Sequence, residues 1–287
     1  TLALALAVGV LGYAARRPLV PLSGIALATV AILFLDLSTG SNGVVRSPLG
    51  YSLLVGARNY GIGNEYGGVL IGATALLAGI LADGVSRRWG SLVAGLLAAT
   101  TWLAVALLLM MPTVGANFGC GLAAAVGGAW FAGRWLIPRG RWAALGLLAG
   151  ATLLGLAAVA VADLQQPALA THIGRAAEQA LGAQWGALSE IARRKLELNW
   201  RLLRYTIWSR VLILMLIAVA VFVLRPASGF RRILDHRRGL ATGVAGGTIS
   251  ALIALVTNDS GVVAAATTMM FPTTALIQVL LSAGRQR

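Results

Sequence analysis

The segment Arg58-Asn59-Tyr60-Gly61-Ile62-Gly63-Asn64-Glu65-Tyr66 gathers an arginine, two asparagines, a glutamate and two tyrosines around two glycines. A guanidinium among amide and phenol groups is suited to holding an anion such as a phosphate, and a neighbouring carboxylate is suited to proton transfer. Three other strings have a similar character. Asp36-Leu-Ser-Thr-Gly-Ser-Asn-Gly runs on to Arg46, Gly115-Ala116-Asn117-Phe118-Gly119 follows later, and Thr257-Asn258-Asp259-Ser260-Gly261 lies near the end. Pooled, they give Glu65, Asp259 and Asp36 as candidate acid–base residues. The candidate binding residues are Arg58, Asn59, Tyr60, Asn64, Glu65, Tyr66, Asn117, Asn258, Asp259, Ser260 and Arg46. Each string also has a plain structural reading as a turn. Asn-Asp-Ser-Gly is good turn chemistry, and Asp259 or Ser260 can cap the helix that follows.

The chain around these strings is 58% hydrophobic and 11% charged over 287 residues, with a mean hydropathy of +0.83. Several apolar runs approach the roughly 20 residues that a helix needs to cross a bilayer. They are continuous Leu/Ala/Val/Gly rather than alternating, which selects helices over a barrel. The expectation is an all-α, polytopic transmembrane bundle of about nine spans. These fall at 1–15, 20–37, 66–83, 90–111, 118–137, 142–162, 206–224, 239–257 and 262–283. The chain then reads as one integral membrane domain, 1–287. It comprises six spans in 1–162 with a polar loop at 38–65, a helical segment at 163–205, and three spans in 206–287.

Arginines mark every second junction: Arg16-Arg17, Arg87-Arg88, Arg134 with Arg139 and Arg141, Arg225 to Arg238, and the tail. Positive charge orients spans, so these junctions are expected to be cytoplasmic, with the N-terminus outside and the C-terminus inside. The polar strings then share the extracytoplasmic face, where irregular backbone at span ends can line a cavity. The basic segment 163–205 runs against this rule. Within it Leu181, Trp185, Leu188, Ala192, Leu196, Trp200 and Leu203 recur at helical spacing, and Glu190–Arg194 and Glu197–Arg201 read as i,i+4 pairs. This predicts an amphipathic helix, lying in the membrane interface or packed across the span ends.

Gly239, Gly243, Gly247 and Ala251 recur every fourth residue, as do Gly68 and Gly72, so the two helices that carry them are expected to pack closely. Asp83 is expected to pair with Arg87 at the opposite end. The formal charge of +14 is read as a topology signal, not as nucleic-acid binding. With Cys120 the lone cysteine and His172 and His236 the only histidines, neither a disulfide nor a zinc or pigment site is expected. No cofactor is expected, and the Gly61-Ile62-Gly63 run lacks the strand and spacing of a dinucleotide site.

Tyr-Gly-Ile-Gly-Asn-Glu-Tyr at 60–66, Gly-Ala-Asn-Phe-Gly at 115–119, Arg194-Lys195-Leu196 with Asn199, and Asn-Asp-Ser-Gly at 258–261 together resemble a family of bacterial polytopic membrane proteins. The resemblance covers the chain from about residue 36 onward. It implies a cytoplasmic (inner) membrane location. Some members look like fusions in which an extracytoplasmic alkaline-phosphatase-like or phosphoglyceromutase-like domain precedes the spans. That implies an extracytoplasmic domain or subunit as partner at the N-terminal side, beside the membrane lipids, and implies no activity for the spans. Three functions follow as expectations. The first is transport or flipping of an anionic, phosphate-bearing envelope precursor, with Arg58 and Arg46 on the anion. The second is a membrane-embedded transferase acting on a lipid-linked substrate, and the third a structural or partner-binding subunit. The nine acidic residues all lie near span ends or in loops, which weakens proton-coupled transport.

Overall fold

The computed structural model describes residues 19–47, 49, 61–137, 185–224 and 235–284, and among them there is no β-strand. The helices are α1 (Val20–Ser38), α2 (Asn42–Val45), α3 (Asn64–Met110), α4 (Phe118–Leu136), α5 (Trp185–Tyr205), α6 (Ile207–Leu224), α7 (Arg238–Thr257) and α8 (Gly261–Gly284). Five of them, α1, α3, α6, α7 and α8, are long and apolar enough to cross a membrane. The spans expected at 1–15 and 142–162 lie outside the described residues, as do Arg58, Asn59 and Tyr60.

At 47 residues, α3 would extend about 70 Å if straight, more than twice the roughly 30 Å of a hydrocarbon core. It does not run straight. Gly90 has φ 86° and ψ 167°, a backbone state essentially reserved for glycine, and it divides the helix into arms 64–89 and 91–110. The segments expected at 66–83 and 90–111 are these two arms. Among the described residues there are therefore five span-competent helices, one of them interrupted at Gly90. α4 is helical but does not join the five.

Glycine contacts give the directions of packing. A methyl added at Gly95 would meet Trp135 and Leu136, at Gly128 it would meet Trp102, and at Gly121 Met110. The second arm of α3 and α4 thus form an antiparallel hairpin through the turn 111–117. Gly79 and Gly239 face each other so closely that a Cβ on either would strike the other's carbonyl, and one on Gly243 would strike the carbonyl of Ala75. The first arm is therefore antiparallel to α7. Along α8 the order is direct, with Gly68 against Ala264 and Thr267 and Gly72 against Thr268. The two helices expected to pack, the first arm and α7, do pack, but through Ala75 and Gly79. Gly68 and Gly72 serve a different neighbour, α8. Pro272 lies inside α8 and deprives the Thr268 carbonyl of its helical donor. The bare Cα of Gly72 sits against that carbonyl.

Trp102 is 1% exposed, and its indole spreads over Gly127, Gly128 and Gly246, so one large ring fills the space that three glycines leave. Small residues at the crossings among α3, α4, α7 and α8 suit a bundle in lipid, where close packing rather than water exclusion holds helices together. Leu33, Leu37, Ile62, Leu70 and Leu109 share one core cluster, and Leu19, Ala26, Leu240 and Leu276 share a second. The bundle has two unlike ends. Asn64, Asn117, Asn258 and Ser260 meet at one, the polar end. Arg87, Arg88, Arg134, Arg237 and Arg238 belong to the other, the arginine end, where Trp135 and Gly239 also lie.

Candidate functional site

The polar end is built from turn chemistry. Gly61, at φ 81°, lies where a Cβ would come within 2.6 Å of the Gly115 carbonyl. The same carbonyl accepts the Ile62 N–H at 2.9 Å. Ile62 is completely buried. The two glycines therefore let a short extended segment press one apolar side chain into the core before α3 begins. Opposite, Asn117 caps α4: its Oδ1 accepts the Cys120 N–H at 3.1 Å, the ordinary task of an asparagine at a helix start. Its Nδ2 donates to the Ile62 carbonyl at 3.1 Å and to Asn64 Oδ1 at 3.0 Å.

Asn64 passes the network on. Its Nδ2 donates to Ser260 Oγ at 3.0 Å, tying the start of α3 to the α7–α8 turn. Asn258 ends α7, its Nδ2 donating back to the Ala254 carbonyl at 3.1 Å. The Cys120 Sγ lies 4.0 Å from Asn64 Oδ1 and 3.9 Å from Asn258 Oδ1, as a weak donor between two amide oxygens. Thr257 Oγ1 donates to the Gly119 carbonyl at 3.2 Å. From α5, Asn199 Nδ2 donates to the Asn258 carbonyl at 3.1 Å, and Asn199 Oδ1 accepts the Gly261 N–H at 3.0 Å. One side-chain amide thus clamps the turn 258–261 and satisfies a first-turn N–H of α8.

Comparison with family models, with curated proteins and with solved structures returns no match. The chemistry of this end is therefore argued from its own geometry.

Of the residues singled out from sequence, the structure brings Asn64, Asn117, Asn258 and Ser260 into one network. Asn117 and Asn258 are buried within it. Glu65 lies beside it in the first turn of α3, where the helix dipole favours a carboxylate. Tyr66 packs its ring against the core. Asp259 and Arg46 are exposed. Asp36 stands apart, spending both carboxylate oxygens on its own loop. Oδ1 accepts the Gly43 N–H at 2.7 Å and Oδ2 the Val44 N–H at 2.8 Å.

Two members were not among the candidate site residues. Cys120 sits at the centre of the network, and Asn199 reaches it from α5. The only sequence signal for Asn199 was its place in the Arg194-Lys195-Leu196 string.

α5 differs from expectation in its ion pairs. Arg193, not Arg194 or Arg201, makes the ion pairs: it donates to Glu190 at 2.7 and 2.9 Å and also pairs with Glu197. One guanidinium between two carboxylates an i−3 and an i+4 step away takes both. This contact holds the Glu190 carboxyl below its ordinary range, and the two carboxylates raise Arg193 further above its own. The end of the Leu/Trp stripe is turned away from the bundle. Leu196 is 70% and Trp200 63% exposed, whereas Asn199 and Leu202 face the bundle.

At the arginine end Asp83, 7% exposed, accepts the N–H groups of Gly239 at 2.6 Å and Leu240 at 3.0 Å. It caps α7 from another helix; pairing with Arg87 is corrected to pairing with backbone. Arg238 lies over the Trp135 ring, 5.1 Å from its centroid. A cavity of about 220 Å³ lies between the second arm of α3 and α4, lined by Trp102, Leu103, Leu107, Met110 and Leu122 among other apolar side chains.

Proposed function

We propose that this chain is a structural or partner-binding subunit of a membrane, its polar motifs forming a lock across the ends of the helices. The observation that carries this reading is that the amide groups of Asn64, Asn117, Asn199 and Asn258 bond to other parts of the same chain. A buried amide with its donors and acceptor engaged holds helices in register and has little left for a ligand. Collecting the arginines at the other end supports placing that end in the cytoplasm and the lock outside. This also accords with a partner domain on the outer face.

A second reading is transport or flipping of an anionic, phosphate-bearing envelope precursor. It is favoured by the exposed Arg46, Arg194, Arg201 and Arg204, and by Glu65 and Asp259 flanking the lock. A transferase acting on a lipid-linked substrate would draw on the same residues.

The experiment compares Asn64→Ala and Asn258→Ala with Glu65→Gln and Asp259→Asn, following abundance in the membrane and labelling of Cys120 by a maleimide. A lock predicts that the asparagine variants lose abundance or expose Cys120, while the carboxylate variants stay wild-type in both and in phenotype. Normal abundance with a lost phenotype in the carboxylate variants would overturn the subunit reading in favour of a site.

A further inference from the structure

α5 docks through one side and leaves another open. Asn199 and Leu202 face the bundle, and Thr206 and Ser209 tie the end of α5 to the start of α6 through the Leu202 carbonyl at 2.9 and 2.8 Å. Leu196, Trp200 and Leu203, spaced by four and three residues, are 70%, 63% and 36% exposed, and Tyr205 is 79% exposed. At 100° per residue, Arg194 and Arg201 lie roughly opposite Leu196 and Leu203. Arg204 sits over the Trp200 ring, 5.8 Å from its centroid. All three arginines are exposed. Arg193 is excluded from this basic set because Glu190 and Glu197 engage it.

Chain continuity says what can cover such a face. Only Thr206 separates α5 from α6, an apolar helix long enough to span, so Tyr205 is held at a membrane edge by covalent connection. Tryptophan and tyrosine favour that depth, with apolar side chains reaching toward the acyl chains and arginines toward phosphates.

We propose that α5 lies in the bilayer interface, its Leu196–Trp200–Leu203 stripe in lipid and Arg194, Arg201 and Arg204 on anionic headgroups. The occupant is a lipid surface rather than a protein, because the face pairs an apolar stripe with exposed arginines beside a spanning helix. This stands whether or not the lock is the protein's main role.

The test uses the full chain in lipid nanodiscs. Leu196→Cys carries a fluorescent label, Leu214→Cys in α6 serves as the reference within the bilayer, and wild type, whose Cys120 is buried, serves as the labelling blank. The expected result is strong quenching at position 196 by a nitroxide near the lipid headgroup and weak quenching by aqueous iodide. Strong iodide quenching without lipid quenching would overturn the proposal in favour of a water-facing or protein-binding helix. Replacing Arg194, Arg201 and Arg204 by Gln is expected to lower the enrichment of phosphatidylglycerol over phosphatidylcholine around the protein by up to about fivefold per arginine at low salt. Unchanged enrichment would overturn the headgroup assignment.

Discussion

Asp83 gives the sharpest test of how the helices are held. Arg237, the residue before α7, offers no side-chain cap. The two N–H groups at the start of α7 are instead held by one carboxylate from α3, at 2.6 and 3.0 Å. Both donors are on buried residues, so water is a poor substitute. Asp83→Ala removes two charge-assisted hydrogen bonds worth about 1.5–3 kcal/mol each, and with the helix-dipole contribution a net loss of about 3–5 kcal/mol is expected. Asp83→Asn keeps one acceptor oxygen and the shape, and should cost about half as much.

Cys120 supplies the assay. It is the single cysteine and is fully buried, so a maleimide that fluoresces on reaction reports opening of the bundle. It packs against Gly67, and Asp83 lies about 24 Å further along α3, so the signal is not a local effect of the substitution. Where labelling follows the open population, a loss of about 3 kcal/mol raises the rate on the order of 100-fold, and Asp83→Asn raises it on the order of 10-fold. Labelling of Asp83→Ala within about twofold of wild type would refute the capping argument.

Gly243→Leu is expected to abolish folded protein in the membrane, because even its Cβ would strike the Ala75 carbonyl. Gly84→Ala, with nothing within 4 Å, should be neutral or stabilising by up to about 1 kcal/mol, and equal loss in both would remove close packing as the cause. Gly90→Ala meets no atom within 4 Å but must hold a φ of 86°, so a cost of about 1–3 kcal/mol is expected in thermal unfolding. No change would mean that the break between the arms relaxes. The Glu190 carboxyl titrates below its ordinary 4.5 in the folded helix. Its pair with Arg193 therefore contributes above that value and is lost as pH falls through the lower folded one. The hydrogen-exchange protection factors of 185–205, each taken against the intrinsic rate at its own pH, should fall in acid relative to neutral pH, modestly because the pair is exposed. Equal protection factors at both would show that the pair contributes nothing.

That the described residues are helical, with helices long and apolar enough to span a membrane, was legible from composition and from apolar runs, because spanning requires a fixed length of apolar helix whatever the neighbours do. So was the close approach of the first arm of α3 to α7, since glycine at every fourth residue leaves a groove that something must enter. Which residues enter it was not legible. Gly68 and Gly72 offered the same pattern and met α8. In the Gly61-Ile62-Gly63 run, Gly61 takes a left-handed φ and a close approach to Gly115, and the isoleucine is core. Asn64, Asn117, Asn258 and Ser260 could be grouped in advance because they recur at span ends. The tertiary structure alone decided that they bond to one another, that Asn199 joins them from α5, and that Asp83 caps α7. The physical reason is common to all of these. Residue type sets what a group can donate or accept, but the partner across a helix crossing is chosen by where the backbone comes within hydrogen-bond reach, and no local pattern encodes that distance.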